Sequence, residues 1–371
     1  MKIAILVSSP VPPDIQEKVD VGLSPRPDYL ALSKALNARL ITPVRTLPKK
    51  RDALGRAHRF WRAAWAAFQR RDEYDMIISD LDRVGLILAA LFKISGTQKQ
   101  HILICHGKVI HPTESWALKT FGLQTHIHRF VCYGRATANQ LGQDLGPSAS
   151  HVVHVRHPAD HRFWRPVQAR SERLVVSGGA MLRDYRTLVE AVRGLDLRLD
   201  IAGFSPWVAL QDERGLRVPS PDNVRFTRLD PPDLRRLYAR SLFIAVPLLE
   251  TDQQAGSLVV YEAMAMGKPV VVTGTKGMKQ LGLIKEGENG FYVPPGDVRA
   301  WRETITRLTN RPEETSRMGR QARAMVEQGL NLEQYVRDMV QIAVGLDPLQ
   351  TSAAPVRPEP RRAADRTARP P

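Results

Sequence analysis

Several features are scarce in this chain of 371 residues, and each scarcity excludes a class of protein. The two cysteines, Cys105 and Cys132, lie in apolar runs without metal-ligand spacing, which predicts buried thiols in a reducing compartment rather than a disulfide scaffold or a zinc site. No stretch of 18 apolar residues occurs, so a membrane-spanning helix is not expected. The apolar residues 1–7 continue into Ser-Ser-Pro rather than into a signal peptide, and we expect them to form the first core strand of a cytosolic protein.

Positive charge is abundant instead, because 54 Lys and Arg residues against 38 Asp and Glu residues give a net charge of +16. Half of this excess lies in residues 45–71, the basic window, where nine basic residues and one acid, Asp52, give a local charge of +8. Residues 351–371 add five arginines against two acids in a Pro/Ala/Arg-rich segment, which predicts a disordered tail. Such surfaces suit anionic lipid, nucleic acid or anionic small molecules equally well.

Short aliphatic runs alternate with helix-period segments along the first 165 residues, and the same alternation starts again after residue 173. Strands separated by helices of this length form βαβ units around a buried parallel sheet. The fold class is therefore α/β, with two Rossmann-like, doubly wound domains in tandem. The predicted strands are residues 2–7, 38–41, 76–79, 102–105, 129–132, 152–155, 174–179, 197–203, 224–226, 242–246, 269–273 and 290–293.

The domain boundaries follow from the point at which this alternation pauses. A polar run near residues 158–172 separates the halves, so we assign residues 1–165 to an N-terminal domain, 166–347 to a C-terminal domain and 348–371 to the basic tail. No repeat at a fixed period relates the two halves. Because open α/β sheets bind ligands beyond the carboxyl ends of their strands, we expect the site in a cleft between the domains.

The segment from residue 250 to 273 carries the most chemical information. A strand ends in a loop, the small residues Ala-Gly-Ser from position 255 open a helix, and Gly267 ends it. Unpaired amides at such a helix start receive phosphates or sugar hydroxyls well. Glu262 lies two turns into this helix and is expected to be mostly buried, although an ordinary crossover helix with one exposed acid fits the same periodicity.

Two runs in the second half of the chain, taken together, resemble a known family. Glu-Ala-Met-Ala-Met-Gly-Lys-Pro-Val begins at Glu262, and Asn-Gly-Phe-Tyr-Val-Pro-Pro-Gly-Asp begins at Asn289. The pair resembles the C-terminal donor-binding domain of glycosyltransferase family 4, and the resemblance covers most of residues 172–345. It implies the two-domain GT-B fold, with a nucleotide-sugar donor on the C-terminal domain and an acceptor on the N-terminal domain.

The resemblance implies roles for individual donor-site residues. Glu262 would accept hydrogen bonds from both ribose hydroxyls, a task that suits a carboxylate. Gln254 stands where the family has the first of two glutamates eight positions apart, beside the transferred sugar, and an amide there can orient hydroxyls but cannot act as a base. The amides of Gly256, Ser257 and Leu258 would hold sugar or diphosphate oxygens.

A pair of cations usually neutralises the departing diphosphate in this family. Arg183 matches the lysine of that pair, whereas the arginine position holds a small residue near Ser177 and Gly178. One positive charge is therefore missing or comes from elsewhere, with Arg186 as a candidate. The alternative for Arg183 is a solvated cation at a helix start.

The N-terminal half resembles the family more weakly. His106 follows the strand predicted at residues 102–105, where the family often places a histidine that contacts the sugar across the cleft, and the resemblance implies a catalytic role for it beside Gln254. The family's glycine-rich loop after the first strand is absent, because this chain has Ser-Ser-Pro at residues 8–10 and then a lone Gly22.

The basic window also carries Phe60, Trp61, Trp65 and Phe68 among its arginines. This spacing predicts a helix with an aromatic side flanked by arginines, which could lie in a lipid interface. Equally, the aromatic rings could pack on the sheet of the N-terminal domain and leave the arginines as a solvated face.

The function implied by the resemblance is a retaining transfer of a hexosyl or related sugar from a nucleotide diphosphate sugar to a glycan or lipid-linked acceptor, in polysaccharide or glycoconjugate synthesis. It implies no metal and no cofactor. We expect the chain in the cytoplasm, where its basic window could contact anionic lipid at the inner face of the plasma membrane. Gln254 and the missing arginine leave a non-catalytic sugar-nucleotide or membrane-binding paralogue as the alternative. Nucleic-acid binding is prompted by charge alone, and no G-x-G-x-x-G follows a predicted strand, which disfavours a dehydrogenase.

Overall fold

The computed structural model describes residues 1–42, 53–106, 112–203 and 221–346, without the side chains of residues 53–58, 112 and 147–149. Within these ranges the chain forms two six-stranded, fully parallel sheets, one after the other. This confirms the predicted α/β architecture with two doubly wound halves. The predicted tail and residues 45–52 of the basic window lie outside the described residues.

The N-terminal sheet uses the first six predicted strands, each within two residues of its predicted ends. They are β1 (Ile3–Leu6), β2 (Arg39–Ile41), β3 (Met76–Ser79), β4 (Gln100–Cys105), β5 (Arg129–Cys132) and β6 (Val152–His154). Their spatial order is β2-β1-β3-β4-β5-β6. The order reverses at β1, and such a switch point opens a crevice at the carboxyl ends of the strands.

Helices cover both faces of this sheet because its strands are apolar on both sides. Ala4 and Leu6 face one layer of helices, whereas Ile3 and Ile5 face the other. The helices are α1 (Ile15–Asp20), α2 (Asp28–Leu36), α3 (Ala53–Gln69), α4 (Asp82–Ile94), α5 (Pro112–Thr120) and α6 (Arg135–Leu145), with 3₁₀ turns at Arg71–Glu73, Leu123–His126 and Gly146–His151.

The C-terminal sheet repeats this design with the remaining six predicted strands. They are β7 (Leu174–Gly178), β8 (Arg198–Ala202), β9 (Val224–Phe226), β10 (Phe243–Val246), β11 (Val270–Thr273) and β12 (Gly290–Val293). Their spatial order is β12-β11-β10-β7-β8-β9. Here the switch lies between β7 and β10, so the loops after these two strands lie side by side.

The helices of the second half are again divided between two apolar layers. One layer is built around Val176 and Val246, and the other around Val175 and Ala245. The helices are α7 (Tyr185–Val192), α8 (Pro231–Arg240), α9 (Ser257–Ala265), α10 (Lys276–Lys279), α11 (Val298–Asn310), α12 (Pro312–Gly329) and α13 (Leu332–Ala343).

The last helix, α13, crosses back to the N-terminal half. The sequence analysis placed it in the C-terminal domain, but its buried side chains, among them Leu332, Tyr335 and Met339, belong to the apolar cluster of the N-terminal sheet. Arg26 reinforces this crossing through ion pairs to Asp160 at 2.5 Å and to Glu333 at 3.0 Å. The two halves are therefore joined twice, by the segment after β6 and by α13. Across the described ranges, no helix has both the length and the apolar character needed to cross a membrane.

Candidate active site

The loop after β10 ends at a glycine that starts helix α9. Gly256 has a φ of +81°, and a Cβ at this position would lie 2.9 Å from Val246 Cγ1, so both its backbone conformation and its packing require glycine. The Ser257 amide donates to the Gln254 carbonyl at 3.4 Å. Leu258 is 46% exposed at the same helix start. The positive end of the α9 dipole thus lies at the carboxyl end of the C-terminal sheet, beside the loop that carries Gln254.

A buried guanidinium lies directly beside this helix start. Arg183 is only 8% exposed, and its Nη1 lies 3.3 Å from the position of a Cβ on Gly256. Its Nε donates to the Gly178 carbonyl and its Nη1 to the Met181 carbonyl, both at 2.9 Å. Among the described side chains it has no carboxylate partner, and burial lowers its pKa. The solvated alternative for Arg183 is therefore wrong, and its charge is compensated by carbonyl dipoles and by the neighbouring Tyr185 hydroxyl.

The packing around position 178 explains why this residue is a glycine. A Cβ on Gly178 would lie 2.8 Å from the hydroxyl of Tyr238, which is fully buried and has no hydrogen-bond partner within the described ranges. The space that a clamp arginine would enter is thus filled by a tyrosine from α8. Arg186, the substitute considered in the sequence analysis, is exposed on α7.

Glu262 lies on α9 and is partly exposed toward the cleft. No hydrogen bond or ion pair from the described side chains reaches its carboxyl group. Burial raises its pKa to about 8, because a poorly solvated carboxylate without a partner is costly. The group is therefore an acceptor that a ligand with hydroxyl donors would satisfy.

Gln254 reaches across the cleft to the N-terminal half. Its side-chain amide fills the space where a Cβ on Gly134 would lie, directly before α6. The absence of a side chain at Gly134 therefore lets Gln254 approach the amino end of that helix. Sequence reasoning expected Gln254 beside the donor and did not foresee this contact.

The opposite wall of the cleft is a row of polar side chains, each just past a strand of the N-terminal sheet. Ser8 follows β1, Asp80 follows β3, His106 follows β4 and Tyr133 follows β5. Because the strands are parallel neighbours, these residues lie along one edge of the sheet, which we call the N-terminal edge. Of the row, the sequence analysis singled out His106 alone; the signal that would have found the others is the same position after a predicted strand.

The carboxylates on the N-terminal edge have partners. Asp80 accepts from the Ser8 amide at 2.8 Å and from the Ser8 hydroxyl at 3.3 Å, and burial together with Asp28 raises its pKa to about 7. Asp28 accepts from the Tyr29 amide at 2.8 Å, and its Oδ2 lies 3.4 Å from the Tyr133 hydroxyl. This edge is thus polar and preorganised.

His106 is exposed to the cleft, as its predicted role requires. Its backbone amide donates to Asp82 Oδ2 at 2.8 Å, and its ring meets the Tyr133 ring edge-on with centroids 4.9 Å apart. These two contacts hold the backbone and the ring of His106, and no described residue forms a hydrogen bond to its ring nitrogens. In the described part of the chain, no group of three or more His, Cys, Asp or Glu side chains is arranged to hold a metal ion.

Comparison with known proteins agrees with this geometry. Residues 174–311 match the family model of glycosyl transferases group 1. The putative glycosyltransferase EpsD of Bacillus subtilis (strain 168) is 34% identical over 64 residues, which are 17% of this chain and 16% of EpsD. A D-inositol 3-phosphate glycosyltransferase of Corynebacterium efficiens is 34% identical over 132 residues, which are 34% of this chain and 30% of that protein. The matches thus span less than a third of the length of either relative.

Solved structures resemble the chain over almost its whole length. HepE from Anabaena, in complex with UDP and glucose, has a TM-score of 0.67 at 15% identity, and the match covers 93% of this chain and 100% of HepE. Sucrose-phosphate synthase from Thermosynechococcus elongatus has a TM-score of 0.69 at 17% identity, with coverage of 93% and 99%. At such identities the likeness concerns the fold. The chain therefore has the GT-B fold, and its residues 174–311 match the family model of glycosyl transferases group 1.

Proposed function

We propose that this chain is a glycosyltransferase that takes a sugar from a nucleotide diphosphate sugar. The observation that carries the proposal is a pair of groups around one helix: the buried guanidinium of Arg183, to which the described side chains offer no carboxylate, and the carboxyl of Glu262, to which no described residue donates a hydrogen bond. A nucleotide diphosphate supplies both partners, since its phosphate oxygens accept hydrogen bonds and its ribose hydroxyls donate them. UDP, which occupies the structural neighbour HepE, is our first candidate nucleotide.

Departure of the diphosphate develops negative charge on the phosphates and positive character at the anomeric carbon. Donors that are already in place stabilise such charge without reorganisation, and Arg183 and the start of α9 are donors of this kind. We propose retention at the anomeric carbon and no metal requirement, on the resemblance of the donor segment to its family. Gln254 does not act as a base, because an amide cannot serve as one. Its role is to orient the sugar or the two walls of the closed cleft.

The acceptor, in this proposal, lies on the N-terminal edge. His106 is exposed on that edge and contacts the ring of Tyr133. Asp80, which is held by Ser8, offers a carboxylate to a hydroxyl group of the acceptor. Such an edge fits a hydroxyl-bearing acceptor, and a glycan or lipid-linked saccharide in polysaccharide or glycoconjugate synthesis is the class we propose.

A thermal-shift panel of UDP-, GDP- and ADP-sugars tests the donor. A specific ligand at a hundred times its dissociation constant stabilises a protein by about 2.7 kcal/mol, so one nucleotide class should raise the melting temperature clearly above the others. The Glu262→Ala variant is the control that should lose this shift. Equal melting temperatures with all sugars would contradict the proposed donor site.

A peripheral membrane contact is a further part of the proposal, because the structure divides the aromatic residues of α3. Phe60 is 9% exposed and Phe68 packs against Phe92, with ring centroids 6.2 Å apart. Trp61 and Trp65, by contrast, are 49% and 41% exposed and stack on each other at 6.4 Å. Two of the four rings thus support the sheet, and two remain for an anionic lipid surface beside the exposed Arg62.

Co-sedimentation with phosphatidylserine vesicles at low salt tests this contact on a chain shortened after Asp347, which removes the tail arginines. We expect Trp61→Ser with Trp65→Ser and Arg62→Glu to abolish sedimentation, because each cation near the surface contributes about 1 kcal/mol. The matched control is Arg317→Glu, which makes the same change of charge at an exposed site on α12 and should sediment like the unchanged chain. Equal sedimentation of all three proteins would show that α3 does not bind the vesicles.

A non-catalytic nucleotide-sugar binder is the second candidate function. Gln254 in place of an acid and Tyr238 in the space of the missing arginine favour it. The two functions separate in one assay, because a transferase releases UDP from UDP-glucose as the glucose passes to an acceptor hydroxyl or to water, whereas a binder holds the sugar nucleotide intact.

A further inference from the structure

Four aromatic rings cross the molecule from the N-terminal edge to the donor helix. His106 meets Tyr133 at 4.9 Å, Tyr133 meets His157 at 4.6 Å, and His157 stacks on Tyr261 at 5.7 Å with an interplanar angle of 23°. Tyr261 lies on α9 immediately before Glu262. We call these four side chains the ring column; its two ends carry the proposed acceptor side and the proposed donor side of the site.

The two rings that flank His157 in the ring column, Tyr133 and Tyr261, are firmly held. The Tyr133 hydroxyl lies 3.2 Å from the Tyr335 hydroxyl of α13 and 3.4 Å from Asp28 Oδ2, and the residue is 4% exposed. Tyr261 is 2% exposed within the apolar core of the C-terminal sheet. Neither Tyr133 nor Tyr261 can move far without its own domain, so the spacing between these two rings depends on His157, which lies between them.

That ring, His157, belongs to the segment that joins the two halves. Its Nδ1 lies 3.2 Å from the Pro158 carbonyl, and since a carbonyl only accepts, Nδ1 carries the proton of the neutral imidazole. Burial, together with the nearby His106, lowers its pKa to about 4. The side chain is therefore an uncharged, oriented ring at neutral pH.

We infer that His157 is a positioning residue: its ring, stacked between Tyr133 and Tyr261, sets the distance across the cleft between His106 and the helix that carries Glu262. The inference rests on the proposed function for its kinetic consequence, but its geometric consequence is independent of it. His157 itself touches neither Arg183 nor Glu262, so its loss leaves donor binding intact. A displacement of about 1 Å between reacting groups lowers a rate on the order of 100-fold.

The kinetic test uses the full-length chain, UDP as the binding probe and UDP release from UDP-glucose as the rate. We expect His157→Ala to keep UDP affinity within about threefold of the wild type while its release rate falls at least tenfold, and His157→Phe, which restores a ring, to recover most of the rate. The matched control is Phe163→Ala, which removes a buried ring from the same joining segment but outside the ring column. It should lose comparable thermal stability and keep its rate.

Two outcomes of that assay overturn the inference. One is a His157→Ala rate equal to that of Phe163→Ala, which would reduce the ring to ordinary packing. The other is a loss of UDP affinity as large as the loss of rate, which would place His157 in the donor pocket.

A distance measurement decides the inference even if the wild type neither binds UDP nor releases it. Spin labels at Lys34→Cys on α2 and Glu303→Cys on α11, both exposed positions, report the separation of the two domains by pulsed electron paramagnetic resonance. Cys105 and Cys132 are buried and stay unlabelled. We expect His157→Ala to broaden or shift the distance distribution and His157→Phe to restore it. Identical distributions in the wild type and His157→Ala would overturn the inference. An inactive wild type, together with a shifted distribution in His157→Ala, would overturn the proposed function alone.

Discussion

The two walls of the cleft are built in different ways. On the donor wall, Glu262, Gln254 and the start of α9 come from one short stretch of sequence, and Arg183 joins them from the loop of a neighbouring strand. On the acceptor wall, the polar row comes from the ends of separate strands spread over about 125 residues, from Ser8 to Tyr133. Local sequence therefore carries the donor chemistry, whereas only the strand order brings the acceptor edge together.

The walls also differ in how their charges are satisfied. The donor wall holds a buried cation compensated by carbonyls and a tyrosine hydroxyl, and a carboxyl group to which no described residue donates, whereas Asp80 on the acceptor wall accepts two hydrogen bonds from Ser8. A site with unpaired charges gains most from a charged ligand, because the ligand removes an existing electrostatic cost. A wall with paired charges is better suited to neutral hydroxyl groups.

The largest expected effect follows from the unpaired cation. Arg183→Met should weaken UDP binding by about 2–3 kcal/mol, because charge-assisted hydrogen bonds to the diphosphate are lost. Uridine, which lacks phosphates, should bind as it does to the wild type, and calorimetric titration of both ligands measures the difference. The matched control is Arg186→Met, an exposed arginine close by in sequence that should leave both affinities unchanged. If uridine and UDP lose affinity equally, Arg183 supports the fold of the pocket and does not bind phosphate.

A smaller effect is expected on the acceptor wall. His106→Ala should lower turnover about tenfold, the equivalent of one hydrogen bond of about 1.4 kcal/mol, and leave UDP affinity unchanged. Initial rates with UDP-glucose, together with UDP titration, separate the two quantities. A variant that keeps its full rate would remove His106 from the site and leave it as a ring that packs on Tyr133.

The same contrast explains what sequence could predict. All twelve strands were predicted because an aliphatic run between helices is a local signal, and Glu262 and Arg183 were found because a motif surrounds each of them. Asp80 and Tyr133 were missed, since a single polar residue after a strand means little until the neighbouring strands are known. Residues 332–343 were assigned to the C-terminal domain because they follow its strands in the chain, and no local signal shows that Leu332, Tyr335 and Met339 pack against the N-terminal sheet.

A pH dependence of stability is also expected. Glu262 has a folded-state pKa of about 8 against an ordinary value of 4.5, so the folded chain binds more protons than the unfolded chain between these values. Its contribution to stability is fully present below pH 4.5 and is lost as pH rises through 8. Glu262→Gln removes this loss, so the variant should gain stability relative to the wild type between pH 5 and pH 8. Urea denaturation midpoints at both pH values check the sign, and a difference that shrinks with pH would contradict the assignment of Glu262 as a buried, unpartnered carboxyl.

The measurement closest to the central claim is a calorimetric titration of UDP, GDP and ADP into the full-length wild type, Glu262→Ala and His106→Ala. The claim predicts that at least one of these nucleotides binds the wild type at a single site. Glu262→Ala should weaken it by about 2–4 kcal/mol through the loss of two charge-assisted hydrogen bonds, and His106→Ala should bind it as the wild type does. Failure of all three nucleotides to bind, or equal affinity in a folded Glu262→Ala variant, would contradict the assignment of the donor wall.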